Sequence, residues 1–254
     1  MDMKERKMRT DTIPEILVYL ACNRGKNKWD IKEALKKSYS NVFQTIPKLL
    51  ADNLIKVSNI EKGSKNPKIE VEYYELTHSG LLAALQALEE TRSWKHIDTI
   101  AGNYKEMEPL VFGKWAFFDS KGIRNLIIQR LQAAVFAFSL KQGKTWYRIQ
   151  EGPSEEAIKI LVETKGKEIA EKTLWSHKQI VGNLTDSVLG FNLYLHPKNE
   201  NLQAIVEEEK RVLQILSQDS DIKEYLQKQI RFWEETEQAI CNNIHAWKQW
   251  FNTL

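Results

Sequence analysis

The sequence predicts a mainly α-helical protein with one β-hairpin near its N-terminus. Apolar residues recur at helical spacing over most of the 254 residues, as is typical of helices that pack one face against a core. The helical period breaks in two stretches, 54–60 and 69–76, which flank a tip that contains Gly63 and Pro67. The longest apolar run, 131–140, is shorter than the roughly 20 residues needed to span a bilayer, so we expect no membrane segment.

Two helices are predicted at the start of the chain. The first begins at Asp11 or Thr12, either of which can cap its N-terminus. A loop at 23–28 ends this helix. Asp30 is then predicted to cap a second, short helix over 31–38. The second helix is expected to bury Ile31, Ala34 and Leu35.

A third helix is predicted over 40–53, with Ser40 as its N-terminal cap. Pro47 lies inside this range and cannot donate a hydrogen bond to the carbonyl of Phe43, so we expect a kink midway along the helix. The alternative is a shorter helix that begins near Thr45. The apolar face comprises Val42, Ile46, Leu49 and Leu50, and the opposite, polar face comprises Asn41, Gln44, Thr45, Lys48 and Asp52.

A fourth helix follows the hairpin, with Thr77 or Ser79 as its predicted cap. The end of this helix divides the chain into an N-terminal domain, 1–90, and an all-α domain, 91–254, that dimerises or senses a ligand. Residues 104–120 mix aromatic side chains with proline and glycine, and their conformation is left open. Later helices are predicted at 121–141, 153–181, 201–217 and 222–251, the last capped by Asp219 or Ser220.

Positive charge is concentrated in the N-terminal part of the chain. Residues 1–68 contain 15 Lys and Arg against 8 Asp and Glu, whereas the whole chain carries a net charge of +3. Such asymmetry predicts a polyanionic partner, although a solvated basic surface has the same composition. The charged start of the sequence lacks an apolar signal segment, and Cys22 and Cys241 form no disulfide framework. We therefore expect a cytoplasmic protein with reduced thiols.

Residues 12–90 resemble the winged helix-turn-helix domain of prokaryotic transcriptional regulators, in the broad MarR-like and PadR-like sense. The resemblance is carried by WDIKEAL, SYSNVFQTIPKLLADNLIKV and YYELTHSGLLAAL, which occur in the matching order and spacing. It implies that the third helix is the recognition helix and that the hairpin tip, 61–68, is the wing. The rest of the chain resembles no family.

The residue types on the third helix suit this implied role. Asn and Gln can pair with adenine edges in the major groove, and Ser or Thr can contact either base. Lysines can neutralise phosphates. We therefore expect a transcriptional regulator whose partner is double-stranded DNA. The predicted DNA-binding residues are Ser40, Asn41, Gln44, Thr45, Lys48, Lys36, Lys37, Lys65 and Lys68.

Other functions remain open to different degrees. A winged helix also serves as a protein–protein interaction module, so the alternative is a scaffold that does not bind DNA. An enzyme is disfavoured, because the sequence lacks GxSxG, HExxH and glycine-rich phosphate-loop motifs. Cys241 and His245 have the spacing of half a zinc site, but nothing indicates further ligands beside them. We expect no catalytic residue, no metal and no cofactor.

The last predicted helix indicates a second partner. Apolar residues there alternate in steps of three and four, which is typical of a coiled-coil seam. We expect this end, or the fourth helix, to form a homodimer, with an intramolecular core as the alternative. A small-molecule effector of open identity could bind between the tryptophans. The seam comprises Leu226, Ile230, Trp233, Ile240, Ile244, Trp247 and Phe251.

Overall fold

The computed structural model describes residues 12–63, 68–142, 184–190 and 203–251. The predicted mainly helical class is confirmed, with one small antiparallel sheet of three strands. No helix in these ranges is long and apolar enough to cross a membrane. The described α-helices are α1 (Thr12–Cys22), α2 (Lys28–Leu35), α3 (Tyr39–Ala51), α4 (His78–Glu90), α5 (Ile97–Tyr104), α6 (Trp115–Ser120), α7 (Arg124–Gln142), α8 (Leu184–Leu189), α9 (Gln203–Leu216) and α10 (Ser220–Phe251), and the strands are β1 (Lys26–Asn27), β2 (Ile55–Lys62) and β3 (Glu70–Leu76).

The caps of the first two helices differ in part from the prediction. α1 begins at Thr12, while Asp11 lies outside the described residues. α2 is capped by Asn27, whose side chain accepts hydrogen bonds from two backbone N–H groups of the first turn. The prediction that Asp30 caps this helix is therefore wrong. Asp30 instead completes a capping box, because its carboxylate accepts the N–H of Asn27 at 3.3 Å.

α2 ends earlier than predicted because the chain turns sharply after it. Lys36 adopts a left-handed φ of 50°, and its N–H bonds to the carbonyl of Glu33. The helix therefore stops at Leu35 rather than at residue 38. Ile31 is fully buried, but Ala34 is exposed, contrary to the prediction. A helix of this length presents only one turn of apolar side chains to the core.

α3 begins before the predicted cap and continues through Pro47. Ser38 is the cap, and its hydroxyl oxygen accepts the N–H of Asn41 at 3.3 Å. Ser40, the predicted cap, lies inside the helix, because the earlier serine already has the extended backbone that a cap requires. Helix precedes Pro47, so the alternative start near Thr45 is excluded.

The sheet contains a strand that the sequence did not predict. Lys26 and Asn27 form β1, in the stretch predicted as a loop, and pair with Tyr74 and Tyr73 of β3. β2 pairs with the other edge of β3, so the strand order is β1-β3-β2. The predicted hairpin is confirmed, and β2 extends as far as Lys62.

An irregularity in β2 keeps two apolar side chains on one face of the sheet. The register shifts between Val57 and Asn59, where the strand carries one extra residue. Val57 pairs with Tyr74 and Ile60 with Glu72, so both apolar residues share a face although they are three positions apart in the sequence. Both side chains are exposed, Val57 at 37% and Ile60 at 54%.

Most of the buried apolar side chains form one continuous cluster from α1 to the start of α10. At its centre, α4 is buried from Gly80 to Leu88. A Cβ on Gly80 would lie 1.7 Å from the carbonyl oxygen of Leu54, so only glycine permits this contact. Thr77, one of the two predicted caps, accepts the N–H of Gly80 at 3.0 Å. The domain boundary at residue 90 stays a prediction.

Polar contacts fix the segments that follow α4. Within 104–120, the segment left open by the sequence, turns lead into α6, and the Trp115 indole N–H donates to Asp98 at 2.9 Å. Asp219 caps α10, as predicted, and accepts the N–H of Ile222 at 3.1 Å. Lys114 pairs with the same carboxylate at 2.9 Å and joins the α6 region to α10. The predicted helix at 153–181 lies outside the described residues.

Candidate functional site

The outward side of α3 brings together the predicted contacts on that helix. Val42, Ile46 and Leu49 are fully buried and hold the opposite side of α3 against the core. The polar face predicted from the sequence therefore points away from the core. We define the α3 outer face by five residues, of which Ser40, Asn41, Gln44 and Lys48 are exposed and Thr45 is half-buried.

Hydrogen bonds within the helix occupy part of the α3 outer face. The Thr45 hydroxyl donates to the carbonyl of Asn41 at 2.6 Å, and the Ser40 hydroxyl lies 3.2 Å from that of Ser38. The side-chain amides of Asn41 and Gln44, by contrast, bond to no other described residue. These two amides therefore present both donors and acceptors to solvent, whereas Thr45 offers only its hydroxyl oxygen.

The predicted lysines differ in how far they are already paired. Lys36 and Lys48 are exposed and have no carboxylate partner in the part of the chain that the structure describes. Lys37 forms an ion pair with a carboxylate of α1, at 2.6 Å between nitrogen and oxygen. Lys68 is exposed in the turn before β3, and Lys65 lies outside the described residues. Lys36 and Lys48 are thus the predicted cations with most charge available to a phosphate.

Three aromatic side chains beside the α3 outer face were not selected from the sequence. Tyr39 and Phe43 stack at 3.7 Å between ring centroids with an interplanar angle of 18°, and Trp29 of α2 lies 5.3 Å from Tyr39. Trp29 is 53% exposed and Tyr39 is 50% exposed. Lys28 lies 5.6 Å from the Phe43 ring, and Lys32 lies 5.5 Å from the Trp29 ring. We call Trp29, Tyr39 and Phe43 the aromatic surface.

Part of this surface could have been found from the sequence. Tyr39 and Phe43 are four residues apart, and side chains at that spacing meet on one face of a helix. Trp29 belongs to another helix and reaches the pair only through tertiary packing. Large, half-exposed aromatic rings are concentrated at interfaces, so this group marks a surface that suits a partner.

Two carboxylates of β3 are neutralised by neighbouring cations. Glu72 lies 3.6 Å from Lys28, and Glu75 lies 2.9 Å from Arg24 and 3.0 Å from Lys56. Burial opposes ionisation of Glu75, but the hydrogen bonds from Arg24 and Lys56 outweigh it and lower the pKa of this carboxyl. These acids therefore add little net negative charge beside α3.

A second polar cluster lies away from α3. Glu108 is almost fully buried, at 5% exposure, and one of its oxygens lies 2.6 Å from Nε2 of His78. The Thr185 hydroxyl donates to the other oxygen at 3.3 Å. The carboxylate therefore links α4 to α8.

Neither a metal centre nor a known relative identifies the function. The described residues contain no group of three or more His, Cys, Asp or Glu side chains that could hold a metal ion. Cys241 and His245 are both exposed on α10. The chain matches no known family model, and neither a curated protein nor a solved structure is significantly similar to it.

Proposed function

We propose that the protein is a DNA-binding transcriptional regulator that reads duplex DNA with the α3 outer face and with the tip of the β2–β3 hairpin. The observation that carries this proposal is that the side-chain amides of Asn41 and Gln44 bond to no other described residue, on a helix anchored by its opposite side. Such amides can bond bidentately to adenine in the major groove, which admits one α-helix. Lys48 follows one turn later and can reach a phosphate.

The order of elements supports a winged helix-turn-helix assignment. Three helices precede the hairpin and a fourth follows it. β1, which lies between α1 and α2 in the sequence, is the third strand of the sheet. In this arrangement α3 is the recognition helix and the hairpin is the wing. Lys62 is exposed at the end of β2, where a wing would meet the DNA backbone.

The surroundings of α3 also fit a backbone contact. Lys36 lies before the start of the helix, and the Tyr39 hydroxyl and the Trp29 indole N–H are donors on half-exposed rings. Donors of this kind bind phosphate oxygens and fix the orientation of a protein on the duplex. The aromatic surface thus extends the proposed interface towards the start of α2.

Salt-dependent binding to duplex DNA tests this proposal. We expect affinity to fall steeply as salt rises from about 50 to about 200 mM, because bound lysines release counterions from DNA. Lys48→Ala should reduce the slope of log K against log salt by about 1. Lys223→Ala, an exposed lysine on α10, is the matched control and should leave the slope unchanged. Fluorescence anisotropy measures both, and absence of binding at low salt would contradict the proposal.

The aromatic surface favours one alternative, a protein-interaction module that does not bind DNA. Half-exposed tryptophan and tyrosine side chains carry much of the binding energy in protein interfaces. Trp29 and Tyr39 would then be the anchors, and Lys48 would make no contribution. In the same anisotropy experiment this alternative predicts no salt-dependent binding and no difference between the wild type and Lys48→Ala.

We also propose that the regulator is a homodimer that pairs through α10 from Ile230 onwards. Ile230 and Ile244 are 45% and 49% exposed there, on the predicted seam. α4 is buried within one chain from Gly80 to Leu88, which favours α10 as the dimer surface. Two copies would match half-sites about 34 Å apart. We expect Ile244→Glu to give a monomer by sedimentation velocity and Lys228→Glu, on an exposed position of α10, to leave the dimer intact.

A further inference from the structure

An open cleft of about 280 Å³ lies between α1, the end of α2 and the turn after α4. This volume is near the lower end of the range for small-molecule sites. Val18, Tyr19, Cys22 and Leu35 give it a largely apolar wall, and Glu15 and His96 add polar groups. It lies outside the α3 outer face and outside the aromatic surface, so the proposed DNA contacts do not occupy it.

The polar groups of the cleft are only partly used within the chain. Across the described ranges, neither the Tyr19 hydroxyl nor the His96 ring makes a hydrogen bond to another side chain or to the backbone. Glu15 is the acidic side chain of the lining. Its carboxylate lies 2.6 Å from the ammonium of Lys37, and these side chains are 29% and 18% exposed.

We propose that this cleft binds a small organic amine, with its apolar body against Val18 and Leu35 and its ammonium group on Glu15. An ammonium group forms an ion pair with a carboxylate. It can also donate hydrogen bonds to neutral acceptors, such as the Tyr19 oxygen or an imidazole nitrogen. The bound amine replaces Lys37 as the partner of Glu15. A carboxylate ligand of the same shape would instead place a second negative charge beside Glu15.

Cys22 reports on occupancy of the cleft. It lines the wall and is half-buried, whereas Cys241, the other cysteine of the chain, is exposed on α10. Burial raises the pKa of the Cys22 thiol, so the group is protonated at neutral pH and reacts slowly with alkylating reagents. A ligand in the cleft would shield this thiol further.

Protection of Cys22 in the full chain that carries Cys241→Ser tests the proposal. The probe is phenethylamine, and 3-phenylpropionate is the acid of matched shape. Alkylation by N-ethylmaleimide is followed by intact-mass spectrometry. We expect the reaction to be about fivefold slower when phenethylamine is at about four times its Kd, because only the unoccupied fraction reacts. The acid should give no protection at the same concentration.

Two glutamates of neighbouring helices provide the matched variants. Glu15→Gln should remove the protection by phenethylamine, while Glu33→Gln, an exposed position on α2, should retain it. A thermal shift is the second measurement: phenethylamine should raise the Tm of the wild type and of Glu33→Gln but not of Glu15→Gln. The proposal would be overturned if phenethylamine gave neither protection nor a thermal shift. It would also be overturned if amine and acid had equal effects, or if the effects of the amine persisted in Glu15→Gln.

The ion pair also connects the cleft to the proposed DNA-binding helix. Lys37 immediately precedes Ser38, the cap of α3, so a change of partner at Glu15 alters the charge at the start of that helix. An effect of phenethylamine on DNA affinity rests on the proposed function. Protection of Cys22 does not, so the two proposals fail separately.

Discussion

α3 and α4 are both 13-residue helices that flank the hairpin, but they bury very different shares of their surface. α4 is buried on every side from Gly80 to Leu88, whereas α3 buries one face and exposes the other. A helix enclosed by its own chain contributes packing energy, and its side chains have no access to a partner. A helix anchored by one face holds its remaining side chains in fixed positions on the surface, as recognition requires.

The largest expected effect is a loss of stability when α4 is pushed away from the hairpin. Gly80→Ala would place a Cβ 1.7 Å from the carbonyl oxygen of Leu54, so the helix or the turn must move. We expect the free energy of unfolding to fall by about 3 kcal/mol or more. Gly102→Ala is the matched control, because a Cβ there meets no atom within 4 Å. Equal urea midpoints for the two variants would show that α4 is not closely packed.

A second substitution in α4 should stabilise the protein. Gln86 is 4% exposed, and neither its side-chain oxygen nor its side-chain nitrogen has a hydrogen-bond partner among the described residues. Gln86→Leu removes this cost and should raise the free energy of unfolding by about 1–3 kcal/mol. Gln44→Leu on the exposed face of α3 is the comparison and should change stability little. Urea unfolding measures both, and destabilisation by Gln86→Leu would mean that the amide has a partner.

Pro47 tests whether α3 is optimised for stability. Proline in a helix interior removes a backbone hydrogen bond, and Pro47 has no N–H to donate to the carbonyl of Phe43, four residues earlier in α3. We expect Pro47→Ala to raise the free energy of unfolding by about 1 kcal/mol, the helical gain being partly offset by a more flexible unfolded chain. A loss of stability on urea unfolding would contradict this and would favour a role in packing for the kink predicted at Pro47.

The smallest expected effect is a pH dependence at the hairpin. The pKa of Glu75 is lowered from its ordinary value of 4.5, because the hydrogen bonds from Arg24 and Lys56 outweigh burial. The ionised carboxylate therefore stabilises the folded state above that value, and this contribution is lost as the pH falls through the lower, folded-state pKa. Glu75→Gln should be less stable than the wild type at neutral pH, with a difference that shrinks in acid. A constant difference across urea titrations would contradict this.

Periodicity predicted the parts of the fold that depend on one element alone. The buried face of α3 follows from the spacing of Val42, Ile46 and Leu49 in the sequence, and the two strands follow from the change of period after it. β1 could not be predicted in this way, because two residues become a strand only by pairing with the distant β3. Helix caps could be predicted only in part. Ser38 and Ser40 are both residues that favour the cap position, and the extended backbone at Ser38 makes it the cap.

The candidate site shows the same limit. The α3 outer face was predicted because a single helix determines which of its residues share a side. The pairing of Lys37 with Glu15 and the approach of Trp29 to Tyr39 join separate helices, so no spacing in the sequence indicates them. These contacts also alter the candidate site. The ion pair with Glu15 leaves Lys37 with less charge available to a phosphate, and the approach of Trp29 to Tyr39 adds an aromatic surface.

The most direct test of α3 as a reading helix is the effect of Gln44→Ala on selected and on random DNA. Duplexes enriched by repeated selection with the wild type are compared with random duplexes by fluorescence anisotropy. We predict that Gln44→Ala loses about 1–3 kcal/mol of affinity for the selected duplexes and almost none for the random ones, because a bidentate base contact acts only on its own sequence. An equal loss on both, or no loss on either, would contradict base reading by α3.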